Sequence, residues 1–190
     1  MGLELSSHRP GPTLFDVAAR KRGSATGPQW LTSDEAQTWR ALHDVISGLP
    51  TVLSDQLRSD ADLSFLEYYV LAGLSEQPDR TLRMSQLALL ANSELSRLSH
   101  LVGRLEKRGL VRRERDRSDG RFTCAILTAA GYRLVTDVAP SHIEHVRHVI
   151  FDVLDETEQH ALRGALMKVR SELIQQLLAR SPGLEISLDT

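Results

Sequence analysis

Apolar residues recur at intervals of three and four along most of this chain and give way to alternation at one place. Thr32-Ser33-Asp34-Glu35 opens the first long run. Thr32 is placed to cap a helix, and Glu35, three residues on, to reach back. Trp39, Leu42, Val45/Ile46, Leu49 and Val52/Leu53 follow at helical spacing, and Pro50 within them predicts a kink. Ser64 and Glu67 repeat the capping signature for a helix through Tyr68, Leu71 and Leu74, which Gln77-Pro78-Asp79 ends. Two stretches come next, split by Asn92-Ser93. Residues 85–91 carry Leu87, Leu89 and Leu90; residues 94–108 carry Leu95, Leu98, Leu101/Val102 and Leu105, and Gly109 stops them. Two helices joined by a tight turn, the second longer, form the helix-turn-helix pattern.

The period then changes. Residues 110–115 read as a strand, 116–120 as a turn, and 121–127 alternate, with Phe122, Cys124 and Ile126 on one face and Thr123, Ala125 and Leu127 on the other. A basic hairpin directly after the second helix of such a pair is a wing. Thr128 opens another helix that runs past a kink at Pro140 to Val153. Asp155 and Glu158 then cap a last one, striped by Leu162, Leu166, Val169, Leu173 and Leu177. The predicted class is mainly α: a winged helix-turn-helix with a two-stranded β-wing and long helices at either end. Residues 1–28, rich in Gly, Pro, Ser and Arg, read as a flexible extension, and residues 29–190 as one domain.

Charge sharpens this picture. The 190 residues carry a net charge of −2, which alone speaks against a nucleic-acid partner. That total hides a segregation. Residues 80–121 hold eleven Lys and Arg against five acids, while the remainder holds twelve against twenty. Other classes fall away. One cysteine, Cys124, rules out an intrachain disulfide framework and a Cys-rich zinc site, and its phase predicts a buried strand residue. No apolar run is long enough to span a bilayer and no signal core opens the chain, so a cytoplasmic location is expected. His142, His145 and His148 step by three and drift about 60° each time, which disfavours convergence on one ion. Phosphate loops and catalytic motifs are absent, and neither enzyme activity, cofactor nor metal is expected.

Opposite the apolar stripe of residues 94–108 lie Ser93, Ser96, Arg97 and His100, short donors and cations suited to base edges in a major groove. Arg104, Lys107 and Arg108 extend the face toward phosphates. A solvated helix face is the plainer reading of any one such stripe. The hairpin tips the balance, because Arg112, Arg113, Arg115, Arg117 and Arg121 outnumber its acids and call for an anion; Arg117 and Arg121 at the tip are the candidate groove contacts. A dimeric adaptor that docks the basic lobe on an acidic protein is the alternative.

Several runs carry a more specific likeness: Leu82-Arg83-Met84-Ser85-Gln86-Leu87-Ala88, Ser96-Arg97-Leu98-Ser99-His100-Leu101-Val102, Arg104-Leu105-Glu106-Lys107-Arg108-Gly109-Leu110-Val111, Asp116-Arg117-Ser118-Asp119-Gly120-Arg121 and Leu127-Thr128-Ala129-Ala130-Gly131. Together they resemble the multiple antibiotic resistance regulator (MarR) family over residues 31–178. The resemblance implies a homodimeric repressor of transcription that binds double-stranded DNA at a pseudo-palindrome. Its dimerisation helices would span 31–60 and 141–180, and its DNA-binding lobe 62–127. It implies that Asp119 orients Arg121 toward DNA, and that a small aromatic or carboxylate effector releases the operator from a crevice between dimer helices and lobe. Trp39, His43, Tyr68 and His142 are the candidates there.

Overall fold

The computed structural model describes residues 30–116 and 118–180; the expected extension at 1–28 and the candidate Arg117 lie outside the described residues. The chain divides into two compact units, residues 1–49 and 50–190. Helix α1 (Ser33–Ala61) begins in the first and is capped as expected. The Thr32 N–H donates to Glu35 Oε2 at 2.7 Å, and the Glu35 N–H donates to Thr32 Oγ1 at 3.2 Å. Pro50 lies inside this helix.

The core belongs to the second unit. The Ser54 hydroxyl donates to the Pro50 carbonyl at 2.6 Å and accepts the Phe65 N–H at 3.0 Å. It thereby ties the last turns of α1 to the start of α2 (Phe65–Ser75). The Ser64–Glu67 box closes that start: Glu67 Oε2 accepts the Ser64 N–H at 3.0 Å, and Ser64 Oγ accepts the Glu67 N–H at 3.3 Å. Leu57, Leu63, Leu71, Leu74, Leu87, Leu98 and Leu105 retain no accessible surface, so α2, α3 (Met84–Leu90) and α4 (Leu95–Lys107) share one dry centre.

Strands β2 (Val111–Arg115) and β3 (Thr123–Leu127) form the expected wing. A third strand, β1 (Thr81–Arg83), pairs with β3 on its other edge, giving the order β1-β3-β2, antiparallel throughout. Three residues are too few to show an alternation, which is why the sequence does not announce β1. Strand β3 is also shorter than the expected 121–127. Ala125 and Leu127 face the main core, whereas Phe122 stands outside β3 and is 41% exposed. Cys124 is buried as expected, and burial pushes its thiol up, away from reactivity.

Helix α5 (Ala129–Val146) contains Pro140 and widens into a π-helical turn at Arg147–Phe151 instead of continuing to Val153. The Asp155–Glu158 box, with bonds of 2.9 and 2.8 Å, then starts α6 (Glu156–Arg180). Its stripe Leu162, Leu166, Val169, Leu173 and Leu177 is 37–54% exposed, a row of large apolar side chains with nothing covering it among the described residues.

One junction joins the end of α4, the wing and α5. Gly109 turns the chain with φ +73°, a conformation that suits glycine. The Thr128 N–H donates to the Leu110 carbonyl at 3.0 Å, and its hydroxyl donates to the Gly109 carbonyl at 2.7 Å. The same hydroxyl oxygen accepts the Gly131 N–H at 3.0 Å. Gly131 sits so close that a Cβ would overlap the Leu110 carbonyl oxygen and lie 2.7 Å from Leu127 Cδ1. Gly131→Ala should therefore destabilise the fold by about 1–3 kcal/mol despite the better helix propensity of alanine. Urea unfolding would show a lower midpoint at unchanged slope; an equal or higher midpoint would mean the junction is looser than described.

Candidate nucleic-acid interface

At about 100° per residue, α4 divides into three strips. Leu98, Leu101, Val102 and Leu105 face the core. On the opposite side Ser96, Arg97, His100 and Lys107 are exposed, and none of the four makes a side-chain hydrogen bond or ion pair among the described residues. Ser93, just before the helix, is half-buried and its hydroxyl reaches only the Glu94 carbonyl at 3.4 Å. The third strip, with Leu95, Ser99 and Glu106, faces the wing.

Two cations expected on the phosphate side have internal partners instead. Arg104 reaches back to α2, with Nε and Nη2 donating to Glu67 Oε1 at 3.2 and 3.1 Å. Burial opposes the charge on Glu67, but the bonds from Ser64 and the Arg104 guanidinium prevail and hold its carboxyl below the usual range. Arg108 closes the end of α1: Nη1 donates to the Asp62 carbonyl at 2.7 Å and Nη2 to the Ala61 carbonyl at 3.0 Å. A guanidinium against the last carbonyls satisfies groups the helix leaves open and complements its dipole. Neither contact is visible in a local pattern, because the partners lie 37 and 46 residues away in sequence.

The wing also balances more of its own charge than its composition suggests. Arg113 lies in a fork on Glu106, with Nε and Nη2 donating to Oε2 at 2.9 and 2.6 Å, and its N–H donates to Oε1 at 2.9 Å. This welds β2 to α4. Arg112 pairs with Glu114, and Arg115 donates to the Gly120 carbonyl at 3.2 Å. Arg112, Arg113 and Arg115 therefore each have a partner within the described hairpin and α4.

Arg121 is different in kind. Its guanidinium grips Asp119 through Nε at 3.0 Å and Nη2 at 2.6 Å, and its N–H donates to Asp119 Oδ1 at 3.1 Å, yet its side chain remains 85% exposed. The Arg121 bonds hold the Asp119 carboxyl below its usual range and raise the Arg121 guanidinium in turn. The pair is an oriented cation with one edge fixed and the rest without a partner among the described residues. Between this tip and the wing-facing strip of α4 lies a cleft of about 330 Å³, lined by Leu95, Ser99, Arg113, Arg121 and Phe122. Leu95, read from sequence as a core position, is 52% exposed there.

The effector candidates fall in different units. Trp39 and His43, in residues 1–49, have ring centroids 6.4 Å apart, and Trp39 is 43% exposed. Tyr68 and His142, in the second unit, are both buried with ring centroids 4.5 Å apart. His142 Nδ1 lies 3.0 Å from Gln56 Oε1, while Gln56 Nε2 donates to Asp60 at 2.7 Å. That orientation places the proton of the neutral imidazole on Nδ1. Burial, then the nearby His145, holds His142 below the usual histidine range, and burial pushes the Tyr68 hydroxyl up. No cluster of three metal-ligating side chains forms among the described residues.

The profile of the MarR family matches residues 61–121. The chain is similar to Sco3205, a MarR family transcriptional regulator from Streptomyces coelicolor whose crystal structure is in complex with DNA. The two share 42% identity and a TM-score of 0.72, over 79% of this chain and 93% of that one. AbsC, a MarR family regulator from the same organism, shares 35% identity at a TM-score of 0.72, over 78% of this chain and 99% of that one. The transcriptional regulator HosA of Escherichia coli O127:H6 is 31% identical over 63% of this chain and 77% of its own length.

Proposed function

This chain belongs to the MarR family of transcriptional regulators, and from that premise we propose that it is a homodimeric repressor whose α4 helices and wings grip one pseudo-palindromic operator. One observation carries the DNA contact: among the described residues, Ser96, Arg97, His100 and Lys107 stand exposed and without internal partners, beside a wing tip whose exposed Arg121 is held by Asp119. In this reading α4 enters the major groove and reads base edges through Arg97, with His100 and Ser96 beside it. Arg121 enters the adjoining minor groove, where phosphates flank the narrow walls. Lys107 meets the backbone. Ser93 flanks the entry of α4, Arg104 and Arg108 act by fixing α4 to α2 and α1, and Asp119 acts by aiming Arg121.

A single α4 covers only a few base pairs, so the second half of the site needs a second chain. The uncovered stripe of α6 supplies the adhesive surface. Two recognition helices on one face of DNA then stand about 34 Å apart, one helical turn. The proposal extends to a small aromatic or carboxylate effector received beside Tyr68 and His142, the polar-edged aromatic pair of the second unit.

Gel shifts against genomic fragments at two salt concentrations test the DNA contact. Affinity should fall about 10³-fold or more between 50 and 200 mM salt. Arg97→Ala should lose about 1–3 kcal/mol at particular base pairs, whereas Arg121→Ala should weaken all sequences more evenly. Binding without sequence selectivity would turn the argument toward an adaptor that docks on acidic proteins.

Leu166→Asp should put a charge in the dimer interface at a cost of several kcal/mol. Light scattering should report a monomer that no longer binds a palindrome tightly; a well-folded dimer would place the interface elsewhere.

For the effector, small aromatic acids should weaken operator binding, and by linkage the operator should weaken their binding by the same factor, on the order of 1–3 kcal/mol. His142→Phe should blunt that release while leaving ligand-free DNA affinity intact. A panel of such acids that shifts neither melting temperature nor DNA affinity would remove effector control from the account.

A further inference from the structure

Arg83 ends β1, pairs in register with Cys124 of β3, and precedes α3, where its N–H donates to Gln86 Oε1 at 3.1 Å. Its backbone is thus fixed to the helix-turn-helix. Its side chain crosses the sheet edge and engages the wing three times. Nε donates to Asp116 Oδ2 at 2.5 Å, Nη2 donates to Ser118 Oγ at 3.3 Å, and the guanidinium carbon sits 4.6 Å from the centre of the Phe122 ring.

Asp116 is the hub of the wing turn. Its second oxygen accepts the Ser118 N–H at 2.8 Å, the Ser118 hydroxyl at 2.6 Å and, more weakly, the Asp119 N–H at 3.4 Å. These bonds from Ser118, with Arg83 after them, hold its carboxyl far below the usual range. Its side chain is only 12% exposed, and that of Arg83 38%. The turn closes through Phe122 N–H to Asp119 O and Asp116 N–H to Phe122 O, both 3.0 Å. Asp119 in turn holds Arg121. An unbroken set of short contacts therefore runs from the start of α3 to the exposed guanidinium of Arg121.

We infer that Arg83 is a positioning residue for DNA binding: by clamping Asp116, Ser118 and Phe122 it fixes the height at which the wing presents Arg121 relative to α4. A wing joined to its sheet only by the paired ends of β2 and β3 would sample many heights, and ordering it on DNA would cost affinity. Arg83 removes that cost in advance. The inference rests on the reading of the wing as a DNA contact.

The sign of one substitution separates this role from a direct phosphate contact. Asp116→Ala removes a negative charge from a DNA-binding surface and releases Arg83, so simple electrostatics predicts tighter binding. Positioning predicts weaker binding, on the order of tenfold, with an equal loss for Arg83→Ala. The double variant should lose clearly less than the product of the two single losses, since both changes break the same Arg83–Asp116 contact. Tighter binding by Asp116→Ala, or additive losses, would overturn the inference.

A second measurement needs no DNA. Amide exchange at residues 118–122 should accelerate in Arg83→Ala while core amides of α2 and α4 keep their protection. Unchanged exchange in the wing would overturn the clamp; acceleration everywhere would make Arg83 a general stabiliser and overturn it equally. Arg83→Lys, which keeps the charge but not the fork or the stacking, should fall between. If the wild-type chain binds no DNA, the functional reading fails, and the exchange experiment still decides whether Arg83 holds the wing.

Discussion

Thr128 donates its hydroxyl proton to the Gly109 carbonyl while the same oxygen accepts the Gly131 N–H, so one side chain binds the loop that follows α4 and caps the helix that begins α5. Its backbone N–H adds the Leu110 carbonyl, and Gly131, lacking a Cβ, lets the first turn of α5 press against that peptide. Three elements that a DNA-binding regulator must keep in register meet here: the end of α4, the base of the wing and the helix that leads toward α6. Loosening this junction frees the wing from α4 and the DNA-binding lobe from α5.

Charge is organised around the same need for fixed geometry. Four arginines of the basic segment serve the fold. Arg104 fastens α4 to α2, Arg108 closes α1, Arg113 welds β2 to α4, and Arg83 clamps the wing turn. The wing-tip Arg121 remains exposed through an oriented pair with Asp119, and Arg97 and Lys107 are unengaged among the described residues. In the proposed reading, net positive charge across residues 80–121 draws nucleic acid in, and these three cations, with His100, give the contact its shape.

The sequence made the helical architecture plain because capping and periodicity are local. The boxes at Thr32/Glu35, Ser64/Glu67 and Asp155/Glu158 all close, and Gly109 ends α4 in the positive-φ conformation expected of it. Strand β1 escaped because three residues carry no period, and its identity depends on a partner more than 40 residues away. Alternation alone does not say which face of β3 is covered, because Phe122 lies beyond the strand and Cys124 and Ala125 are both buried. Leu95 looked like a core residue by spacing, yet the first turn of α4 projects past the core into the cleft beside the wing. For the candidate site, residue types were legible and partners were not. Nothing in the spacing of Arg104 or Arg108 distinguishes a phosphate contact from a bond to a carboxylate or carbonyl folded back from far upstream.

Hydroxyl-radical footprinting of the full chain on an operator selected from a random library addresses the central claim, that α4 and the wing of each subunit form one DNA-binding surface. The account predicts two protected segments related by two-fold symmetry, centred about one helical turn apart, each flanked by minor-groove protection that disappears in Arg121→Ala. A single protected segment without a symmetric mate, or minor-groove protection unaffected by loss of Arg121, would contradict it.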